Sequence, residues 1–269
     1  MYGKTDVRNF MKIKTLYTAF SQKHKIDYAF TGESHNFWEM VIVTDGEVGV
    51  TAGSDVFVLK KGQAIFHEPM EFHNLWSEGN SSPAIIIFSF SISDMPPLPS
   101  KIFEIESLSV PNDILVLIRS AFECSKINVT GIKRNQRLAA QIAIKNLELF
   151  ILHTISQKQI SVSTLNSRSA KNYSSIVNIL ENNLNKNLSV ADIAKLANMS
   201  EVNLKKTFSC YSGVGVINYF NRLKVNAAID MIKSGMSIKE ISASLGFLNQ
   251  NYFSTVFKRI TGRPPTYYK

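Results

Sequence analysis

The sequence predicts an α+β chain of two domains. An antiparallel β-barrel followed by helices comes first, then an all-α domain in which a long helix joins two helix-turn-helix units. Three observations predict this. Short apolar segments separated by turn residues fill the first hundred positions. Helical periodicity replaces them after a proline cluster at Met95-Pro96-Pro97-Leu98-Pro99. A helical pattern then repeats in the last hundred residues, which hold all of the net charge. At 269 residues the chain is long enough for two cores.

The predicted strands are 16–20, 26–30, 38–43, 48–52, 56–59, 64–67 and 84–92, rich in β-branched and aromatic residues. Thr44-Asp45-Gly46, Ala52-Gly53-Ser54 and Lys60-Lys61-Gly62 supply turns between them. Such even spacing fits an antiparallel sandwich or barrel. Helices are expected at 112–124 and 134–156. The first would bury Ile114, Leu117, Ile118 and Ala121, and the second Leu138, Ile142, Leu147, Leu149 and Leu152. They could pack on the barrel or pair two copies of the chain. Residues 157–171 are polar and Ser-rich and are expected to link a domain at 1–156 to one at 172–269.

Charge separates the same two regions. Residues 1–167 hold 16 basic and 16 acidic side chains, whereas 168–269 hold 14 basic and 5 acidic, the whole formal charge of +9. A basic domain joined to a neutral one implies a polyanionic partner for the former. Cys124 and Cys210 have no metal-type spacing and are expected to be free, partly buried thiols in a reducing compartment. The charged N-terminus argues against a signal peptide. The longest apolar runs, 84–88 and 147–152, fall far short of the roughly 20 residues that span a bilayer. The expected location is the cytoplasm, with no membrane partner.

In the basic region, Ser189 begins a helix with Asp192 three residues on, and Ile193, Ala194, Leu196 and Ala197 give it an apolar side. Asn198-Met199-Ser200 makes a tight turn, Ser200 caps the next helix, and that helix carries Leu204 and Phe208. The pattern returns with Ser237 and Glu240, then Ile238, Ile241 and Leu245. Gly246 serves as the stop, and Phe253 and Phe257 follow. Ile193 and Ile241 are 48 positions apart, and Phe208 and Phe257 are 49 apart. Two helices joined by a short turn form a helix-turn-helix, and two in register within the only basic region point to DNA. Residues 216–234 between them read as one helix on the order of 27 Å long, buried through Ile217, Phe220, Leu223, Ala227 and Met231. That length suits two readers set near the roughly 34 Å separation of successive major grooves.

The run Gly246-Phe247-Leu248-Asn249-Gln250-Asn251-Tyr252-Phe253-Ser254-Thr255-Val256-Phe257-Lys258, followed by Gly262-Arg263-Pro264-Pro265-Thr266-Tyr267-Tyr268, resembles the signature of the AraC/XylS transcription regulators. Asn221-Arg222-Leu223-Lys224 with Ala227 and Ala228 also fits, with Lys224 where arginine is usual. The resemblance covers about the last hundred residues. It implies sequence-specific binding of double-stranded promoter DNA, with RNA polymerase as a further partner, and major-groove entry by the second helix of each unit. Val202, Asn203, Lys205 and Lys206 would read bases on the first, and Gln250, Asn251, Ser254 and Thr255 on the second. Amides suit adenine, lysine suits guanine, and Val or Thr methyls suit thymine. Ser200, Arg222, Lys224, Lys258, Arg259 and Arg263 would hold phosphates.

In the first domain, residues 32–39 (Gly-Glu-Ser-His-Asn-Phe-Trp-Glu) with Gly46 resemble the first cupin motif, and Gly62, Pro69, His73 and Asn74 the second. The resemblance implies a barrel that binds an effector of unstated class and assembles a homodimer. His35, Phe37, Trp38, Glu39, Phe66, His73 and Trp76 are the candidate effector contacts. Glu33 stands where a cupin metal site has histidine, so no metal and no other cofactor is expected. Were an ion present, Glu33, His35, Glu39 and His73 would hold it. Two other readings remain: a metal-binding cupin enzyme with a DNA-binding tail, and a barrel that only dimerises.

Overall fold

A computed structural model describes residues 11–157 and 164–269. The N-terminal domain is two facing antiparallel sheets. The strands are β1 (Lys12–Lys23), β2 (Trp38–Asp45), β3 (Glu47–Ala52), β4 (Asp55–Lys60), β5 (Gln63–His67), β6 (His73–Ser77), β7 (Ala84–Ser93), β8 (Ile102–Glu104), β9 (Phe122–Ser125) and β10 (Asn128–Ile132). The larger sheet runs β8-β5-β2-β7-β1-β10-β9 and the smaller β4-β3-β6. Alternation along each strand divides two cores. Val41, Val43, Ile65, Ile85 and Ile87 meet Val48, Val50, Leu59 and Leu75 between the sheets. Met40, Ile42, Phe66, Phe88 and Phe90 turn the other way, onto α1 (Ser109–Ala121) and α2 (Arg137–Ser156).

Several local expectations change. Residues 26–30 form no strand beyond a single bridge, Ala29 to Trp76. The first helix ends at Ala121, because Phe122 turns extended (φ −107°, ψ 151°) and enters β9. Strands β6, β8, β9 and β10 lie outside the predicted set. On α2 the buried face is Ala140, Ala143, Leu147 and Ile151, whose small residues let the helix approach the sheet. The expected stripe is mostly outside: Leu138, Ile142 and Leu149 are 70%, 49% and 65% exposed. By length and apolarity α2 could also cross a membrane, but one face is packed in the barrel's outer core. Cys124 and Cys210 are both free and exposed rather than partly buried.

The C-terminal region contains α3 (Arg168–Glu181), α4 (Val190–Leu196), α5 (Glu201–Ser212), α6 (Val216–Lys233), α7 (Ile238–Ser244) and α8 (Gln250–Thr261). Helix α3 starts inside the stretch read as linker, since Ser167 accepts the Ala170 N–H and caps it. Ser189 with Asp192 and Ser237 with Glu240 form reciprocal capping boxes on α4 and α7. The turns between paired helices use a left-handed residue at matching places, Asn198 (φ 52°) and Gly246 (φ 65°). Helix α6 is buried more widely than its sequence stripe implied. Val216, Tyr219, Phe220, Val225, Ala228, Ile229 and Ile232 are inside, while Ile217, Leu223, Ala227 and Met231 are half-buried. It serves both helical cores at once.

Candidate nucleic-acid interface and barrel site

On α5, Leu204, Thr207 and Phe208 face inward. That rotation leaves Val202, Asn203, Lys205 and Lys206 exposed on one side, Val202 by 78%. Glu201 reaches Lys205 at 3.4 Å, a surface pair easily exchanged for another anion. On α8, Phe253, Val256 and Phe257 face inward, so Gln250, Asn251 and Thr255 are exposed and Ser254 is half-buried. Lys258, Arg259 and Arg263 are exposed beside them, and Arg263 lies over the Tyr267 ring. Each paired unit thus presents a polar helix face on a rigid apolar base.

The barrel grips one end of this region. The Tyr211 carbonyl, in the last turn of α5, accepts from Asn74 Nδ2 at 2.9 Å and Thr51 Oγ1 at 3.3 Å. Tyr173 Oη and Ser174 Oγ on α3 donate to the carbonyls of Gly53 and Ser54. A Cβ on Gly32 would sit 2.5 Å from the Ser212 carbonyl oxygen, and one on Gly213 would sit 2.7 Å from that of Phe30. Glycine is required at both places because two backbones touch there and both have positive φ.

Inside the barrel, strand register lines up a polar row across an apolar sheet: Thr18 opposite Ser89, Ser89 opposite Glu39, Glu39 opposite His67. Ser89 Oγ donates to Glu39 Oε2 at 2.8 Å. His73 comes from the facing sheet and stacks on His67, ring centroids 4.2 Å apart. Nε2 of His35 and Nε2 of His73 lie 3.7 and 3.5 Å from the Glu39 oxygens. Burial alone would raise the Glu39 carboxyl, yet these imidazoles hold it well below the ordinary carboxylate range. Burial opposes a proton on His73, but Glu39 outweighs it and raises that pKa. His67 is pushed down to about 4 by burial and by His73. Beside it Glu71 is held down to about 2 against burial by His67 and Lys101. The row borders a cavity of about 170 Å³ lined by Phe20, Tyr28, Phe30, Leu75, Ile85 and Ile87, with Glu33, Glu39 and His73 at its polar end.

Two family models match the chain: an AraC-like ligand binding domain over residues 16–147 and a helix-turn-helix domain over 193–269. Together they cover both the barrel and the paired helices. The chain belongs to the AraC family. It is a DNA-binding transcription regulator with an N-terminal ligand-binding domain. Among its relatives, YfiF of Bacillus subtilis, an HTH-type transcriptional regulator, is 22% identical over 86% of this chain and 76% of its own length. AdaA of the same organism, a bifunctional transcriptional activator and DNA repair enzyme, is 26% identical over 35% of this chain, a match that spans 45% of AdaA. Solved ToxT from Vibrio cholerae covers 96% of this chain and 98% of its own at 14% identity and TM-score 0.38. The AdpA DNA-binding domain in complex with a target DNA covers 35% of this chain and 85% of its own at 22% identity and TM-score 0.33.

Within the AraC arrangement two expected phosphate contacts are corrected. Lys224 is 3% exposed and donates to the Lys186 carbonyl at 2.6 Å, with its ammonium 4.5 Å and 5.0 Å from the Phe220 and Phe247 ring centres. It ties the joint between the units, because position 224 lies on the inner side of α6. Arg222 is half-buried and points at the barrel, 5.9 Å from the Phe72 ring centre. Three expected pocket walls also fall elsewhere. Phe66 and Trp38 pack in the outer core beneath α1 and α2, and Trp76 packs against the first helical unit. Phe37 stacks on Tyr17 and His35. Thr18, Ser89 and His67 were missed, although Ser89 is the first polar break after the apolar run 84–88.

Proposed function

We propose that this AraC-family chain reads two successive major grooves of promoter DNA, with α5 and α8 as unequal readers, and that a small ligand in the barrel controls the reading. The carrying observation is the exposed polar face on each second helix, set on a shared α6 frame while the barrel holds the far end of α5. Val202, Asn203, Lys205 and Lys206 read one groove, and Gln250, Asn251, Ser254 and Thr255 the other. Ser200, Lys258, Arg259 and Arg263 hold phosphates. The exposed Leu138, Ile142 and Leu149 stripe on α2 supports pairing of two chains, with RNA polymerase as a later partner. The barrel binds rather than catalyses, in keeping with relatives that are regulators, and the protein works in the cytoplasm.

A gel-shift titration against the promoter beside its own gene tests this. Gln250→Ala should cost about 1–3 kcal/mol on the preferred site and relax the choice of base there. Lys258→Ala should weaken all sequences alike and reduce the salt slope by about one. Equal affinity for scrambled DNA would sink the proposal.

A further inference from the structure

Glu33, His35, Glu39 and His73 bring one donor atom each within 4.8 Å of one another. Short hydrogen bonds occupy only the Nδ1 side of each ring. His35 Nδ1 faces the Phe37 carbonyl at 2.9 Å and His73 Nδ1 faces that of Glu71 at 3.0 Å. A ring nitrogen facing a carbonyl carries the hydrogen, so in its neutral form each ring turns the lone pair of Nε2 inward. Both Nε2 atoms are buried and without a hydrogen-bond partner among the described residues. They stand 3.7 and 3.5 Å from a carboxylate that can only accept. Two buried ring nitrogens and two carboxylates converging on one point are a donor set that a single cation would satisfy. The two imidazole–carboxylate separations, 3.7 and 3.5 Å, are a little longer than the roughly 3.3 Å edge of a tetrahedron with metal–ligand bonds near 2.0–2.1 Å, so a modest inward shift would seat an ion. Ser89 fixes Oε2 of Glu39, the oxygen that faces His35, and the two carbonyls fix the rings, which is the supporting shell an ion site needs.

We infer that these four side chains bind one divalent first-row transition-metal ion, and that the ion is the barrel's effector. Two imidazoles and two carboxylates suit Zn²⁺, Co²⁺ or Fe²⁺ rather than a soft monovalent ion, and the carboxylates cancel the ion's charge. The same residues hold the first reader. The main chains of Glu33 and His73 bond to each other in both directions at 2.9 Å. Gly32, next to Glu33, touches the Ser212 carbonyl, and Asn74, next to His73, bonds the Tyr211 carbonyl. Drawing Glu33 and His73 onto one ion tightens the two segments that clamp the end of α5. Without the ion, Glu33 is tied to His73 by the backbone pair alone and the clamp is less firmly closed. This link to DNA rests on the proposed regulatory function, whereas ion binding does not.

The test uses the full chain stripped with a chelator and titrated with Co²⁺ and then Zn²⁺. One Co²⁺ per chain is expected, with the visible absorption of a four-coordinate N/O site that Zn²⁺ abolishes. Glu33→Gln, at the exposed edge, and His35→Ala should each weaken Zn²⁺ binding by at least roughly ten-fold, with circular dichroism confirming that both fold. No saturable Co²⁺ uptake, or uptake unchanged in both variants, overturns the site. Promoter affinity, measured with and without Zn²⁺, should differ several-fold in the natural chain and not in His35→Ala. Equal affinity in the natural chain overturns the effector role. Sequence-blind binding in both states would instead strike the proposed regulator, and the Co²⁺ result would still decide the site.

Discussion

The two helix-turn-helix units share a plan and differ in what holds them. Both open on a serine capping box, turn through a left-handed residue and close their second helix with a left-handed glycine, Gly213 or Gly262. Yet the core of the first unit takes in Val56 and Phe72 from the barrel. The second unit closes on its own Phe247, Phe257 and Tyr268, with Met70 as its barrel neighbour. One local code thus builds both readers, while long-range packing makes only the first a part of the barrel. The largest test is in the cores. Phe208→Ala and Phe257→Ala should each cost on the order of 3–5 kcal/mol. Hydrogen exchange should then accelerate in β3 and β6 along with α5 for the first, and stay within α6–α8 for the second. Equal opening of the barrel strands in both would erase the difference.

The closing glycines sharpen it. Among the described residues a Cβ at Gly262 meets nothing within 4 Å, so Gly262→Ala should cost only the left-handed backbone, about 1–2 kcal/mol. A Cβ at Gly213 would lie 2.7 Å from the Phe30 oxygen and 2.8 Å from the Thr31 carbonyl carbon. Backbone cannot rotate away as a flexible side chain can, so Gly213→Ala must also push α5 off the barrel. Thermal melting should show the larger fall for Gly213→Ala, and promoter affinity should change in that variant alone.

Lys224 tests the joint between the units. Burial pushes its ammonium down to about 8 from an ordinary 10.5. Between those values the unfolded chain keeps a proton that the folded chain has lost, so this group makes stability rise with pH across that window. Below it, both states hold the proton and the group adds no slope. Urea unfolding of Lys224→Met should lack the rise that the natural chain shows between pH 8 and 10.5. An unchanged profile would mean that the ammonium is not the buried group the packing implies.

What the sequence disclosed follows the same division between local and distant. Capping serines, the paired phenylalanines and the turn at Gly246 act over four residues or fewer, and each could be read along the chain. Strand β6 (His-Asn-Leu-Trp-Ser) could not, because it becomes a strand only by pairing with β3. Alternation says that Trp38 and Glu39 face opposite ways. Which of them enters the barrel depends on where α1 and α2 lie, and Glu39 is the one inside. Apolar residues lie on both faces of α2, so the leucine-rich stripe through Leu138, Ile142 and Leu149 read as the buried one, whereas the face carrying Ala140 and Ala143 is inside. Arg222 and Lys224 look like DNA contacts until the barrel and the second unit are in place around them.

The smallest test returns to the caps. Ser189 and Ser237 each accept from an amide three residues on, and Asp192 and Glu240 each bond back to the serine amide. These bonds hold the acids below the ordinary carboxylate range. Each Ser→Ala change should cost about 1 kcal/mol, since the boxes are exposed and water can replace the lost acceptor. Their consequences should still differ. Helix α4 belongs to the unit clamped on the barrel, so fraying in Ser189→Ala is resisted by packing that α7 lacks. Exchange of the first-turn amides should therefore rise more in Ser237→Ala than in Ser189→Ala. Equal rises would show that the barrel's grip on α5 does not extend to its paired helix.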